Sequence, residues 1–183
     1  MKRGLFLATL LCAAITGLTA CSNPDKLVNE QESQSVYMAT RSSSEVTAGS
    51  KNFIGPHINS MGDQNTYQMY SLEGTTNQQG ATSYRLVIML TYFTKWRYYD
   101  AANLENVPNK TFNVISREAG ICNDRGCIFK ELMAITLTPE FLASHAKTGF
   151  QLEIKSQAGN SNNIYVPAPY IQGFMAAVSG KQI

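Results

Sequence analysis

The chain has 183 residues, 44% of them hydrophobic, with 15 basic and 13 acidic side chains and a formal net charge of +2. That length suits one domain with short appendages. The near balance of charge lacks the basic surplus of a nucleic-acid binder and argues against electrostatic steering of a highly charged partner.

Lys2 and Arg3 open the chain, and Gly4 to Gly17 follows without a charge. This run is too short to span a bilayer, which needs about 20 apolar residues. A charged start, a short apolar core and small residues at its end predict a secretory signal peptide over residues 1–20. The tetrad Leu18-Thr19-Ala20-Cys21 that closes it resembles the lipobox of bacterial lipoproteins. The resemblance covers the first 21 residues. It implies a diacylglycerol on the Cys21 thiol, cleavage before Cys21 and acylation of the new amino terminus. Two or more acyl chains attach a protein durably where one does so only marginally. An ordinary signal peptide with an incidental cysteine, or an uncleaved anchor helix, are the alternatives. Ser22, in place of an aspartate, implies an outer-membrane anchor facing the periplasm in a Gram-negative host. Removing residues 1–20 takes Lys2 and Arg3 and leaves 13 basic and 13 acidic side chains.

Residues 21–35 are polar without a sustained apolar period and predict a lipidated N-terminus on a flexible tether. A single β-rich domain over 36–183 follows. Val36 to Thr40 predicts a first strand, and Ser42 to Asp63, rich in Ser, Gly and Asn, predicts mainly loop. Thr66 to Leu72 alternates as a strand. After a connection over 73–82, Ser83 to Thr94 gives the strongest strand. Its Leu86 to Leu90 segment is apolar on both faces, as in a strand covered on both sides. Further strands are expected over 110–117, 127–137, 149–156 and 163–166. Two helices are expected, at about 139–147 and 169–178. Thr138 caps the first, Pro139 starts it and Gly149 lies past its end. In the second, Tyr170, Ile171, Phe174 and Val178 share a face, and Gly173 permits close packing. The whole reads as mainly β, an antiparallel β-sandwich with two short helices.

Two stretches stand out. The first is Cys122-Asn123-Asp124-Arg125-Gly126-Cys127, good turn chemistry between β segments. It predicts a hairpin stapled by a disulfide, suited to an oxidising compartment. A redox pair favours two intervening residues at a helix start. A zinc site needs two more ligands, and His57 and His145 are isolated in sequence. The second is Tyr92 to Tyr99, with five aromatics, the sole tryptophan and two cations. Tyr92, Trp96, Tyr98 and Tyr99 are candidates for an interaction surface, because Trp, Tyr and Arg dominate binding hot spots. The plainer alternative is a strand leaving the core, its rings buried and its cations reaching solvent.

No nucleophile elbow, phosphate loop, zinc-protease or EF-hand pattern occurs. No catalytic residue, metal or cofactor is expected. Glu131, beside Lys130, and the pair Asp100 and Glu105 are the remaining carboxylates weighed for acid–base work. Function therefore reads as a non-enzymatic membrane-anchored lipoprotein whose β-domain binds an envelope protein or stabilises an assembly. A module for a glycan or small apolar ligand around Trp96 is the alternative, and a hydrolase of envelope polymers the third.

Overall fold

The computed structural model describes residues 24–45, 49–105, 107, 111–124 and 126–182. The signal segment 1–20 and the lipidation residue Cys21 lie outside them. The architecture is mainly β, with two antiparallel sheets facing each other as a sandwich. The wide sheet holds β1 (Arg41–Glu45), β2 (Ser50–Ile54), β3 (Ile58–Gly62), β4 (Thr66–Thr76), β5 (Thr82–Phe93), β7 (Phe112–Asn123) and β8 (Gly126–Leu137). Its order is β1-β2-β4-β5-β8-β7, with β3 also paired to β4. The narrow sheet is β10 (Ser161–Val166), β9 (Phe150–Ser156) and β6 (Tyr99–Asn103), in that order. Among the described residues there are also three α-helices: α1 (Pro24–Ala39), α2 (Pro139–His145) and α3 (Ala168–Ser179).

The core follows strand alternation. Leu86, Ile88, Leu90 and Tyr92 of β5 are fully buried, as are Leu72 of β4, Met133 of β8 and Ile154 of β9. Ile171 and Phe174 of α3 are buried with them, and Phe174 meets Tyr84 edge-on at 6.3 Å. The two-faced apolar pattern of β5 is resolved differently from expectation. Val87 and Met89 face away from the core and are half-buried. Met89 sits between Met69 and Leu132 in register, so flanking strands shield it in the plane of the sheet.

Helix α2 starts as its sequence demands: Thr138 Oγ1 accepts from the Phe141 N–H at 3.1 Å, and proline follows the cap. Helix α3 ends at Gly180, whose φ of 68° suits glycine. Helix α1 corrects two expectations, since residues from Pro24 onward are helical where a tether was expected, and Val36–Ala39 is its last turn where a strand was expected. Proline at the first position is compatible with helix, but so polar a sequence gains little from apolar burial. What holds α1 is α3. A side chain at Gly173 would lie 2.3 Å from Ser33 O and 2.7 Å from Val36 Cβ, so the two backbones touch where glycine stands. Ser33 is fully buried there and donates to Gln172 Oε1 at 3.1 Å. Strands β1, β2 and β3 correct the expected loop over 42–63. Their own residues lack strong alternation; β2 and β3 are strands because they pair with β4, and β1 because it pairs with β2.

The sandwich closes at both seams through side chains. On one side, Gln68 Nε2 donates to Asn163 O at 2.9 Å and Tyr70 Oη to Tyr165 O at 2.6 Å. Asp63 Oδ2 accepts from the Asn163 N–H at 3.2 Å. On the other, Arg117 Nη2 donates to Tyr99 O at 2.8 Å.

Gly173→Ala forces the α1 and α3 backbones apart and is expected to cost about 1–3 kcal/mol, the usual penalty of overpacking. Guanidinium unfolding monitored by far-UV circular dichroism checks this. An unchanged midpoint would contradict the packing described.

Candidate functional site

The aromatic stretch and the cysteine hairpin, far apart in sequence, meet at one end of the wide sheet. Strand β5 stops at Phe93, and its last ladder partner is Ile128 of β8. One further bond continues past the ladder, from the Thr94 N–H to Cys127 O at 3.3 Å. Residues 94–98 then form a loop that leads into β6. Two of them hold left-handed backbone, Thr94 at φ 86° and Tyr98 at φ 53°. A β-branched residue in that region is rare and costs of order 1–3 kcal/mol, so the surroundings must impose it.

Beneath the loop lies Glu131. It is fully buried on β8, directly opposite Arg117 of β7. Its carboxylate collects three donors. The Tyr92 hydroxyl donates to Oε1 in a short contact. The Tyr99 backbone N–H donates to Oε2 at 3.0 Å, and Arg117 Nε reaches the same oxygen at 2.8 Å. Burial, with the adjacent carboxylate adding to it, holds the Tyr92 phenol well above the usual tyrosine range. Tyr92 is therefore a donor at any physiological pH. Its oxygen in turn accepts the Arg97 N–H at 3.0 Å.

Arg97 extends the network to the next turn. Its Nη1 bonds Thr66 Oγ1 and Tyr99 Oη, and its Nη2 reaches Gln64 O at 2.9 Å. The guanidinium lies 4.4 Å from the centre of the Tyr92 ring, within cation–π range. Loop, strand ends and the short 3₁₀ turn at Asp63–Asn65 are thus fixed together.

The candidate surface residues divide. Tyr92 and Tyr99 are fully buried, which corrects their assignment to a surface. Their hydroxyl and amide serve the network above. Trp96 is half-buried, with its ring 4.5 Å from Phe129 and 5.7 Å from Tyr98, stacked on the latter. Tyr98 is 55% exposed and lies under the Arg117 cation at 5.4 Å. Phe93 at 57% and Ile121 at 79% exposure complete the apolar groups at this end, and neither followed from the sequence.

Cys122 and Cys127 are joined by a disulfide as expected. They face each other across β7 and β8, and Asn123 pairs with Gly126 beyond them. A loop this small gives about 2 kcal/mol by the chain-entropy relation. The staple therefore shapes the hairpin tip more than it stabilises the fold.

Other candidates stand apart. His145 stacks on Phe141 at 4.1 Å, and its Nδ1 lies 2.8 Å from Phe141 O, contacts that fasten it to its own helix. Asp100 and Glu105 are exposed. Among the described residues no group of three or more His, Cys, Asp or Glu is placed to hold a metal ion. An apolar groove of about 530 Å³ runs between α1 and the start of α3, lined by Val36, Pro56, Ile58, Pro167, Pro169 and Tyr170, away from Trp96. No described helix is long and apolar enough to cross a membrane. Set against protein-family models, curated protein sequences and solved structures, the chain matches none.

Both oxygens of Glu131 are occupied and its side chain is fully buried, so the carboxylate fixes the Tyr92 ring and the Tyr99 backbone in place. Glu131→Ala leaves Tyr92 Oη, the Tyr99 N–H and Arg117 without their acceptor. The expected loss is about 3 kcal/mol of stability. Urea unfolding measures it, and a loss under about 1 kcal/mol would show that the carboxylate organises little.

Proposed function

We propose that this protein is a non-enzymatic lipoprotein of the bacterial envelope, anchored through acylated Cys21, whose β-domain engages an envelope protein through the end that carries Trp96 and Tyr98. Ser22 after the acylated cysteine, in place of an aspartate, supports an outer-membrane anchor in a Gram-negative host, with the domain in the periplasm. The observation that carries the reading is exposed Tyr98, on a loop held by the Glu131 and Arg97 network, at the end of the sheet that also exposes Phe93 and Ile121. Rigid aromatic and apolar groups lose little entropy on binding and make effective hot spots. Trp96, stacked between Phe129 and Tyr98, supports the ring exposed above it.

Placement within the fold agrees with an anchored module. Helix α1, the segment that follows Cys21, packs on α3. Helix α3 packs on the far half of β4, where Tyr170 Oη accepts the Leu72 N–H and Val178 approaches Gly74. Arg97 engages the near end at Thr66. Gly74 is eight residue steps from Thr66 along β4, about 26 Å at the usual rise. Helix α1 itself lies beside the middle of β4, where Val36 and Ile58, the partner of Tyr70, line one groove, while the aromatic loop meets β4 at Thr66.

A photo-crosslinking residue at position 98, in living cells, tests the partner. One dominant protein adduct is expected, with none from the same residue at position 79 in the β4–β5 turn. Adducts to glycan alone would replace the protein partner with a polymer. The intact mass of the same purified material is expected to fit a chain starting at Cys21 plus fatty acids. A bare polypeptide mass would remove the anchor.

A further inference from the structure

We propose that the outer face of the wide sheet is a self-association surface, on which a second copy of this chain packs sheet against sheet. The proposal goes beyond the reading of the aromatic end and does not rest on it.

The helices and the narrow sheet cover one side of the wide sheet. Leu86, Ile88 and Leu90 of β5 share a core with Leu142 of α2, Phe174 of α3 and Ile154 of β9. Helix α1 packs in turn on α3. The described helices therefore lie on the side to which Leu86, Ile88 and Leu90 point. Their neighbours Val87 and Met89 point to the other side.

That other side is apolar at its centre, where an antiparallel sheet facing water carries polar residues. Register places Met69 of β4 and Leu132 of β8 on either side of Met89. These three and Val87 are half-buried by their in-plane neighbours, with no described element above them. Toward one end the face opens. Tyr67 of β4 and Met61 of β3, which stand opposite each other, are exposed, as is Phe93. The rim is polar. Asn59 of β3 and Ser116 of β7 close the row that runs through Met89. Arg85 and Glu73 form an ion pair at 2.6 Å on one border, and Lys130 stands in register with Glu118 on another. An apolar centre inside a polar rim is the anatomy of an interface.

Size, charge and shape point to a second copy as the occupant. The face runs from Arg85 to Phe93 along β5 and from β3 to β7 across the sheet. At the usual strand rise and spacing this is about 27 by 24 Å, roughly 650 Å² in plan, close to the ~800 Å² per partner of a standard interface. The two cations and two anions of the rim balance, and each already has an opposite charge beside it in the same chain. An anionic membrane surface would call for a cationic excess, and a charged protein partner for a rim of one sign. An identical face asks for neither. Two antiparallel sheets stack about 10 Å apart with their side chains interdigitated, and the unbranched Met61, Met69 and Met89 adapt to such packing. A two-fold axis lets one patch serve both copies.

A photo-crosslinking phenylalanine derivative replaces Tyr67 with little change of shape. Two full-length copies that carry it, each with a different tag, are expressed together in living cells and irradiated. The expected result is a major adduct that holds both tags, with none when the residue stands at position 79 instead. Met61→Glu and Met89→Lys, each in both copies, should lower that adduct about tenfold or more, because an unpaired charge inside a packed interface is strongly disfavoured. The far-UV spectra of the purified variants should match the unaltered protein. Met61 is exposed on a strand that pairs on one side only, so Met61→Glu keeps the test open even where Met89→Lys does not fold. Absence of an adduct with both tags, an adduct to a different protein or to lipid alone, or a yield that Met61→Glu leaves unchanged would overturn the proposal. Position 98 reports on a separate surface, so loss of its adduct would remove the reading of the aromatic end and leave this face standing, and the reverse holds as well.

Discussion

Glu131 carries a carboxylate with no access to solvent. Burying such a charge costs several kcal/mol unless its oxygens are well occupied. Tyr92, the Tyr99 amide and Arg117 occupy them, each from a different strand. This is a constraint on geometry more than a source of stability. A buried ion pair often stabilises no better than a packed apolar group, yet it tolerates few alternative arrangements. The same carboxylate ties β6 of the narrow sheet to β7 and β8 of the wide one, where no ladder joins them. Without it the start of β6 would lose its tie to β8, and the loop carrying Trp96 and Tyr98 would depend on the Arg97 and Thr94 bonds alone.

The opposite seam uses a different solution to the same problem. Gln68, Tyr70 and Asp63 reach across from the wide sheet and satisfy the backbone of β10. Exposed strand edges invite unwanted pairing, and covering them removes the hazard. Both seams therefore leave the two faces rigidly related. The side-chain bonds at the two seams resist the shear that a flexible sandwich would allow.

Alternation made the central strands legible. Leu86, Ile88 and Leu90 and the set Phe150, Leu152 and Ile154 bury as period two requires. The Thr138–Pro139 start fixed α2 by local chemistry, and Cys122 and Cys127 pair around turn residues. Strands β1 to β3 were hidden because RSSSE, SKNFI and INSMG gain their structure from β4, a tertiary effect with no local signature. Helix α1 was hidden for a related reason: its contact is backbone against glycine at Gly173, so no apolar stripe marks it. At the candidate site, composition located the aromatic stretch and could not sort its members. Tyr92 and Tyr99 are buried by partners some 32 to 39 residues away in sequence. The one available signal was the charge pair itself. Arg117 and Glu131 are the residues a hairpin centred on 124–125 sets nearly opposite, and an ion pair within a buried strand would have pointed to β6.

The central claim, that Glu131 holds the start of β6 from within the core, is tested most directly by amide hydrogen exchange at Tyr99. With its N–H bonded to the buried carboxylate, this amide should exchange only through global unfolding, at the rate of core amides such as Ile88, and lose that protection in Glu131→Ala. Exchange of Tyr99 as fast as the exposed turn at residues 77–81, in the unaltered protein, would contradict the account.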